Sequence, residues 1–206
     1  MKKVAVLASG RGSNFQALID AIERGEIPAS CTGLITDNPG AFAITRAQKA
    51  GIPVHILDFA CFSGKDDYED ALCSTMRGVD ADLFVLAGYM RILGHSIVRE
   101  FHGRILNIHP ALLPSFPGLH AQRQSLLYGV RVSGCTVHLV DEGMDTGPII
   151  VQACVPVLDG DDEEILSERI LEEEHRCLPL AVRLFCEDRI VVEGRRVHIV
   201  RGGPSA

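Results

Sequence analysis

Asn107 and His109 stand two residues apart at the end of the apolar run Arg104-Ile105-Leu106-Asn107-Ile108. In a strand, residues two apart share a face, so this amide and this imidazole point the same way. A neutral amide donates hydrogen bonds to a developing oxyanion, and an imidazole exchanges protons near neutrality. Pro110 restricts the backbone of His109 and so helps fix where the ring points. A lone histidine at a strand end is more often a satisfied structural residue. It is the pair that points to chemistry.

A carboxylate suited to that pair lies in Asp141-Glu142-Gly143-Met144-Asp145-Thr146-Gly147-Pro148, where three acids fall within five residues of a Gly- and Pro-shaped turn. One of them approaching His109 would orient the ring and raise its pKa by favouring imidazolium. A solvated acidic loop with an Asx-turn at Asp145 is the plainer alternative.

Two further segments offer binding rather than catalysis. Ser9-Gly10-Arg11-Gly12-Ser13-Asn14 follows an apolar strand and opens a helix, where free amides face an anion such as phosphate. A strand-to-helix turn with Ser13 as N-cap accounts for the same residues. A dinucleotide fingerprint wants a small residue where Phe15 stands, which favours a single phosphate over a pyrophosphate. Gly88-Tyr89-Met90-Arg91-Ile92-Leu93 can line a cleft for a flat heterocycle, although a helix lead-in reads the same.

These segments need a scaffold that presents strand ends together. Strands are expected at 3–8, 32–36, 53–57, 82–87 and 104–108, with helices at 13–24, near 41–50, around 66–78 and near 95–101. That alternation, with near-continuous apolar strands, predicts an α/β, Rossmann-like, mostly parallel sheet with helices on both faces. Strands at 132–140 and 148–157 share a short loop, so the sheet turns mixed or antiparallel in the C-terminal third. A long helix near 162–187 and a terminal hairpin at 190–193 and 197–200 complete the expectation. One domain over 1–206 is expected, with halves of about 1–100 and 101–206. Ligands in such sheets bind outside the carboxyl ends of the strands, where Asn107 and His109 lie.

The bulk properties narrow the function. The 206 residues carry a net charge of −7 and no long basic run, which argues against nucleic acid. No apolar run reaches the roughly 18–20 residues that span a bilayer, and the run Val4–Ala8 after Met1-Lys2-Lys3 is too short for a signal-peptide core and meets a turn at Gly10-Arg11-Gly12 rather than a cleavage site. The seven cysteines form no C-x-x-C pair and read as reduced thiols, so a cytoplasmic protein is expected. Cys135 and His138, three apart on one strand, face opposite ways and make a poor metal pair.

Taken together, LASGRGSNFQALIDA at 7–21, LAGYMRIL at 86–93, ILNIHPALLPSFPGLHA at 105–121 and VDEGMDTGPII at 140–150 resemble the phosphoribosylglycinamide formyltransferases, or glycinamide ribonucleotide transformylases. The matches run in order across nearly the whole chain. The wider formyl-transfer superfamily shares N-x-H-P-x-L-L-P and the downstream Asp, while the GSN turn and the length near 200 select the purine branch.

The resemblance implies transfer of a formyl group from 10-formyltetrahydrofolate, as co-substrate, to the amine of glycinamide ribonucleotide, with no metal. By position, Asn107, His109 and Asp145 would be catalytic. Gly12, Ser13 and Asn14 would hold the substrate phosphate, and Glu174 the glycinamide end. Met90, Arg91, Ile92, Leu93, Asn107, Asp141, Glu142, Gly143, Met144 and Asp145 would contact the folate, as would Lys65, where members often carry Arg. The implied partners are small molecules, with neither nucleic acid nor membrane, for a monomer or homodimer. The related tRNA formyltransferases carry an additional RNA-binding domain, and the formyltetrahydrofolate hydrolases an N-terminal regulatory one. Neither is expected in this chain. A non-catalytic folate or nucleotide sensor would have little need for all three catalytic residues.

Overall fold

The structure is a computed structural model that describes residues 1–201. The chain divides into two compact units, the first running from Met1 to Leu106 and the second starting at Asn107.

In the first unit, strands β1 (Lys2–Leu7), β2 (Ala29–Thr36), β3 (Val54–Ile56) and β4 (Leu83–Leu86) pair in the order β3-β2-β1-β4, all parallel. Val4 to Leu7 and Leu83 to Val85 are at most 1% exposed. Both faces of these strands are therefore covered, the expected consequence of helical crossovers. The crossovers are α1 (Ser13–Glu23), α2 (Phe42–Lys49) and α3 (Lys65–Val79), the last preceded by a 3-10 turn at Phe59–Cys61. α1 ends where Gly25 takes a φ of 72°, and α2 where Gly51 takes 67°, the left-handed stop that glycine allows. A short helix, α4 (His95–Glu100), leads to β5 (Ile105–His109).

β5 carries the chain from the first unit to the second. In the second, β5, β6 (Val132–Leu139) and β7 (Ile149–Pro156) lie in that order, with β6 and β7 antiparallel. The mostly parallel sheet with antiparallel strands toward the C-terminus is the predicted α/β class. α6 (Glu163–Cys186) buries Leu166, Ile170, Leu178, Ala181 and Val182 against β6 and β7. Its start is capped by Asp162, whose Oδ1 accepts from the Ile165 amide at 2.8 Å. β8 (Ile190–Glu193) and β9 (Arg196–Ile199) form the terminal hairpin.

A helix without a counterpart in the sequence reading, α5 (Ala121–Tyr128), follows the Pro-rich segment after β5. No side chain caps its start; His120 at a φ of 58° and Gly129 at 81° set its two ends. Among the described residues, no helix is long and apolar enough to cross a membrane.

Candidate active site

Asn107 and His109 leave β5 on one face, as alternation requires, and Asp145 meets both. The Asn107 amide nitrogen donates to Asp145 Oδ1 at 3.3 Å. His109 Nδ1 lies 3.4 Å from Asp145 Oδ2. On its other side, His109 Nε2 is 2.8 Å from the Phe116 carbonyl oxygen. A carbonyl only accepts, so the Nε2 proton is fixed there and Nδ1 faces the carboxylate. Only an imidazolium can donate at both nitrogens.

Asp145 is held from further directions. Its backbone sits at a φ of 54°, and its Oδ2 accepts from the Gly118 amide at 2.7 Å. Burial pushes its pKa up, but His138, the Gly118 amide and the charge of His109 together bring it below the ordinary carboxylate value. For His109, 4% exposed, the balance goes the other way. Burial outweighs the Asp145 carboxylate and the Phe116 carbonyl, and the ring's pKa falls below that of a free histidine. The expected rise therefore exists only as an opposing contribution. The carboxylate limits a depression that desolvation imposes.

His138 is the residue the sequence reading set aside. It lies on β6, 2% exposed, with Nδ1 bonded to the Leu139 carbonyl at 2.9 Å. That bond places the proton on Nδ1 and leaves Nε2 to accept from the Asn107 amide at 3.3 Å, with Asp145 Oδ1 3.6 Å away. The β6–β7 register shifts between Val137 and His138, a bulge of the kind that re-aims side chains beside sites. Asn107 thus has one amide hydrogen toward His138 and one toward Asp145. Thr136, buried one alternation back, donates to the Ala111 carbonyl at 2.7 Å and accepts from the Leu113 amide at 3.0 Å. Gln152 adds a bond to the Leu113 carbonyl at 3.0 Å. These two side chains fix the segment that follows His109-Pro110.

The loop between β6 and β7 ties itself together through Asp141. Asp141 Oδ1 accepts from the Gly143 amide at 3.1 Å and from Thr146 Oγ1 at 2.6 Å. The Asx-turn is therefore at Asp141, which leaves Asp145 for the histidines. A Cβ at Gly147 would sit 1.7 Å from the Leu139 carbonyl oxygen, so the loop's return past β6 requires glycine there. Glu142, Gly143 and Met144 are exposed on the loop. Glu174, 7% exposed on α6, is a buried carboxylate.

In the first unit, the cap of α1 is Gly12 rather than Ser13, with a φ of 66° and no side-chain hydrogen bond. Ser13 is the first helical residue. A Cβ at Gly12 would come within 2.8 Å of the Ala43 Cβ, so both dihedral and space demand glycine. The helix-start amides are left without a side-chain cap, and Asn14 is 8% exposed on the first turn. The neighbouring segment 88–93 is fastened to the same turn: the Ser9 amide donates to the Gly88 carbonyl, and Ser9 Oγ accepts from the Met90 amide at 2.9 Å. Met90 and Ile92 are 62% and 67% exposed, whereas Leu93 is buried. The Arg91 side chain turns inward to Asp37 at 2.8 Å. Lys65 opens α3, largely exposed, and pairs with Glu69 at 3.3 Å. Among the described residues, no three His, Cys, Asp or Glu side chains converge as a metal site.

The family described as formyl transferase matches residues 2–182. A phosphoribosylglycinamide formyltransferase of Mycobacterium tuberculosis is 46% identical over 199 residues, covering 97% of this chain and 92% of that protein. A trifunctional purine biosynthetic protein adenosine-3 of Drosophila melanogaster is 48% identical over 89% of this chain, which spans only 14% of that protein's length. The crystal structure of glycinamide ribonucleotide transformylase 1 from Symbiobacterium toebii superposes with a TM-score of 0.95 at 49% identity, covering 98% of this chain and 95% of that one.

Proposed function

The chain belongs to the formyl transferase family, folate-dependent enzymes that move a one-carbon unit, and from that premise we propose its own reaction. It transfers the formyl group of 10-formyltetrahydrofolate to the amine of N1-(5-phospho-D-ribosyl)glycinamide, giving the formylated ribonucleotide and tetrahydrofolate in purine synthesis. The observation that carries this reading is the convergence of Asn107 and His109 on the two oxygens of Asp145, at 3.3 and 3.4 Å.

The chemistry follows from those contacts. Attack of the free amine on the formyl carbon places negative charge on the former carbonyl oxygen. Asn107 donates an amide hydrogen to that oxygen, and the imidazolium form of His109 stabilises its negative charge. The Asn107 amide is engaged with protein acceptors, but its bonds are long, and such bonds exchange readily for one to an anion. Asp145 stays ionised and keeps the ring oriented and its charge compensated. The amine's proton reaches the departing folate nitrogen. No covalent enzyme intermediate is needed.

The remaining roles follow by position within the family. Gly12, Ser13 and Asn14 hold the phosphate at the uncapped start of α1. Glu174 holds the glycinamide end. The exposed Met90 and Ile92, with Leu93, are assigned to the folate, and so, each by its own position, are Lys65 and residues 141–145. The protein acts in the cytoplasm as a monomer or homodimer on small molecules alone.

The test is a spectrophotometric assay with both substrates, each omitted in turn. Turnover that needs both supports the transferase. Turnover without the ribonucleotide means a hydrolase, and tight binding without turnover a sensor.

A further inference from the structure

Arg91 lies in the segment that the proposed function assigns to folate, yet its side chain is committed elsewhere. Its Nε donates to Asp37 Oδ2 at 2.8 Å, and its guanidinium carbon lies 3.8 Å from the centre of the Phe59 ring and 5.4 Å from that of Tyr68. Phe59 and Phe62 pack against Tyr68 with ring centres 5.3 and 5.4 Å apart. The Tyr68 hydroxyl is hydrogen-bonded to that of Tyr89, two residues before Arg91. An ion pair, a cation–π stack and a hydroxyl pair thus fasten one loop from three separate elements.

This arrangement is expensive for a merely stabilising one. The Asp37 side chain is only 8% exposed, and its Oδ1 has no hydrogen-bond partner. A buried ion pair adds little net stability, and an unpartnered buried oxygen costs some. What the contact does accomplish is geometric. With residue 91 pulled inward, its neighbours turn out, which leaves Met90 and Ile92 62% and 67% exposed as an apolar ledge.

Resting on the folate reading of this segment, we infer that Asp37 is a positioning residue for the folate, acting through Arg91. The guanidinium is a strut pinned between Asp37 and the Phe59 ring and does not itself bind the ligand. Phe59 and the Tyr68–Tyr89 pair complete the clamp, and the ledge is the surface that the clamp presents.

A double-mutant cycle tests this. Asp37→Asn and Arg91→Gln, made singly and together in the full chain, are assayed for kcat and for KM toward each substrate. Each single change is expected to raise KM for 10-formyltetrahydrofolate by about tenfold, the order of a lost cation–π or charge-pair contact. KM for the ribonucleotide and kcat should stay within about twofold, a split that general destabilisation does not produce. The double variant should be no worse than the weaker single. An unchanged folate KM in Asp37→Asn, or effects that multiply in the double variant, would overturn the inference, the second by showing that Arg91 meets folate independently. Phe59→Leu removes the stack without touching the charges, and decides the matter if Asp37→Asn does not fold: an unchanged folate KM there rejects the clamp. A wild-type chain with no folate dependence would instead refute the underlying reading.

Discussion

The imidazole of His109 is bonded at 2.8 Å to the carbonyl oxygen of Phe116, seven residues along the chain. That contact fixes which nitrogen carries the proton and turns the other toward Asp145. The residue that supplies it sits at a φ of 56°, a left-handed conformation that a side chain of this size rarely adopts. The loop after β5 is thus shaped around the histidine, and its own backbone serves as one of the ring's partners.

Asn107→Ala removes one oxyanion donor and should lower kcat by ~100- to 1000-fold with little change in either KM, as such losses do elsewhere. Steady-state kinetics check it. Turnover near the wild-type level would remove Asn107 from the chemistry.

Asp145→Asn keeps the shape and deletes the charge. Burial lowers the His109 pKa and the carboxylate opposes it, so the substitution should drive that pKa further down. The alkaline arm of the pH–rate profile, where imidazolium is lost, should move to lower pH, and turnover near neutrality should fall because less imidazolium remains. A profile that stays in place would break the pairing of these two residues.

His138→Leu should reduce kcat by about 10- to 100-fold, the range for partners that orient a functional group, and less than the loss at Asn107. Leucine keeps the volume filled but cannot accept the Asn107 amide hydrogen. Parallel measurement of Tm separates orientation from unfolding. A full-rate variant would make His138 a packing residue only.

How much of this was legible beforehand follows from what kind of pattern each feature leaves. The period-two spacing of Asn107 and His109 showed their shared face, and the helices expected at 13–24 and near 41–50 are α1 and α2. His138 left no such mark, because its role depends on β6 lying beside β5 and on a bulge, neither of which is written in local sequence. Ser13 looked like a cap because of its type, but Gly12 takes the position since Ala43 leaves no room for a Cβ. α5 escaped notice because nothing caps its start in the usual way. Arg91 is assigned to the folate through a family motif, and the protein partners of its side chain, Asp37 and Phe59, are 54 and 32 residues away in sequence, which no local pattern shows.

Gly12→Ala should destabilise the chain by ~1–3 kcal/mol, since alanine must adopt a left-handed φ and displace the Ala43 methyl. It should also raise KM for the phosphorylated substrate more than for the folate. Denaturant midpoints and the two KM values check both parts. Equal effects on the two substrates would detach this turn from the phosphate.

Stability should fall in acid for an identifiable reason. The pKa values of His109 and Asp145 are both depressed on folding, so the unfolded chain binds protons more readily. Each group's contribution is present above its unfolded pKa and is lost as pH falls through the folded one. For His109 the loss begins below a pH of about 6.5, and for Asp145 below about 4. Urea midpoints should decline from pH 7.5 to 5.5 in the wild type and decline less in His109→Gln. Identical declines would show that the ring is not responsible.

Formyl transfer can be followed through the transferred carbon itself. The purified chain is given 10-formyltetrahydrofolate labelled with carbon-13 in the formyl group, together with glycinamide ribonucleotide, and the product is read by NMR. The label is expected in a new formamide on the ribonucleotide, matched by tetrahydrofolate and absent in Asn107→Ala over the same interval. Label recovered as free formate, or remaining on the folate, would contradict it.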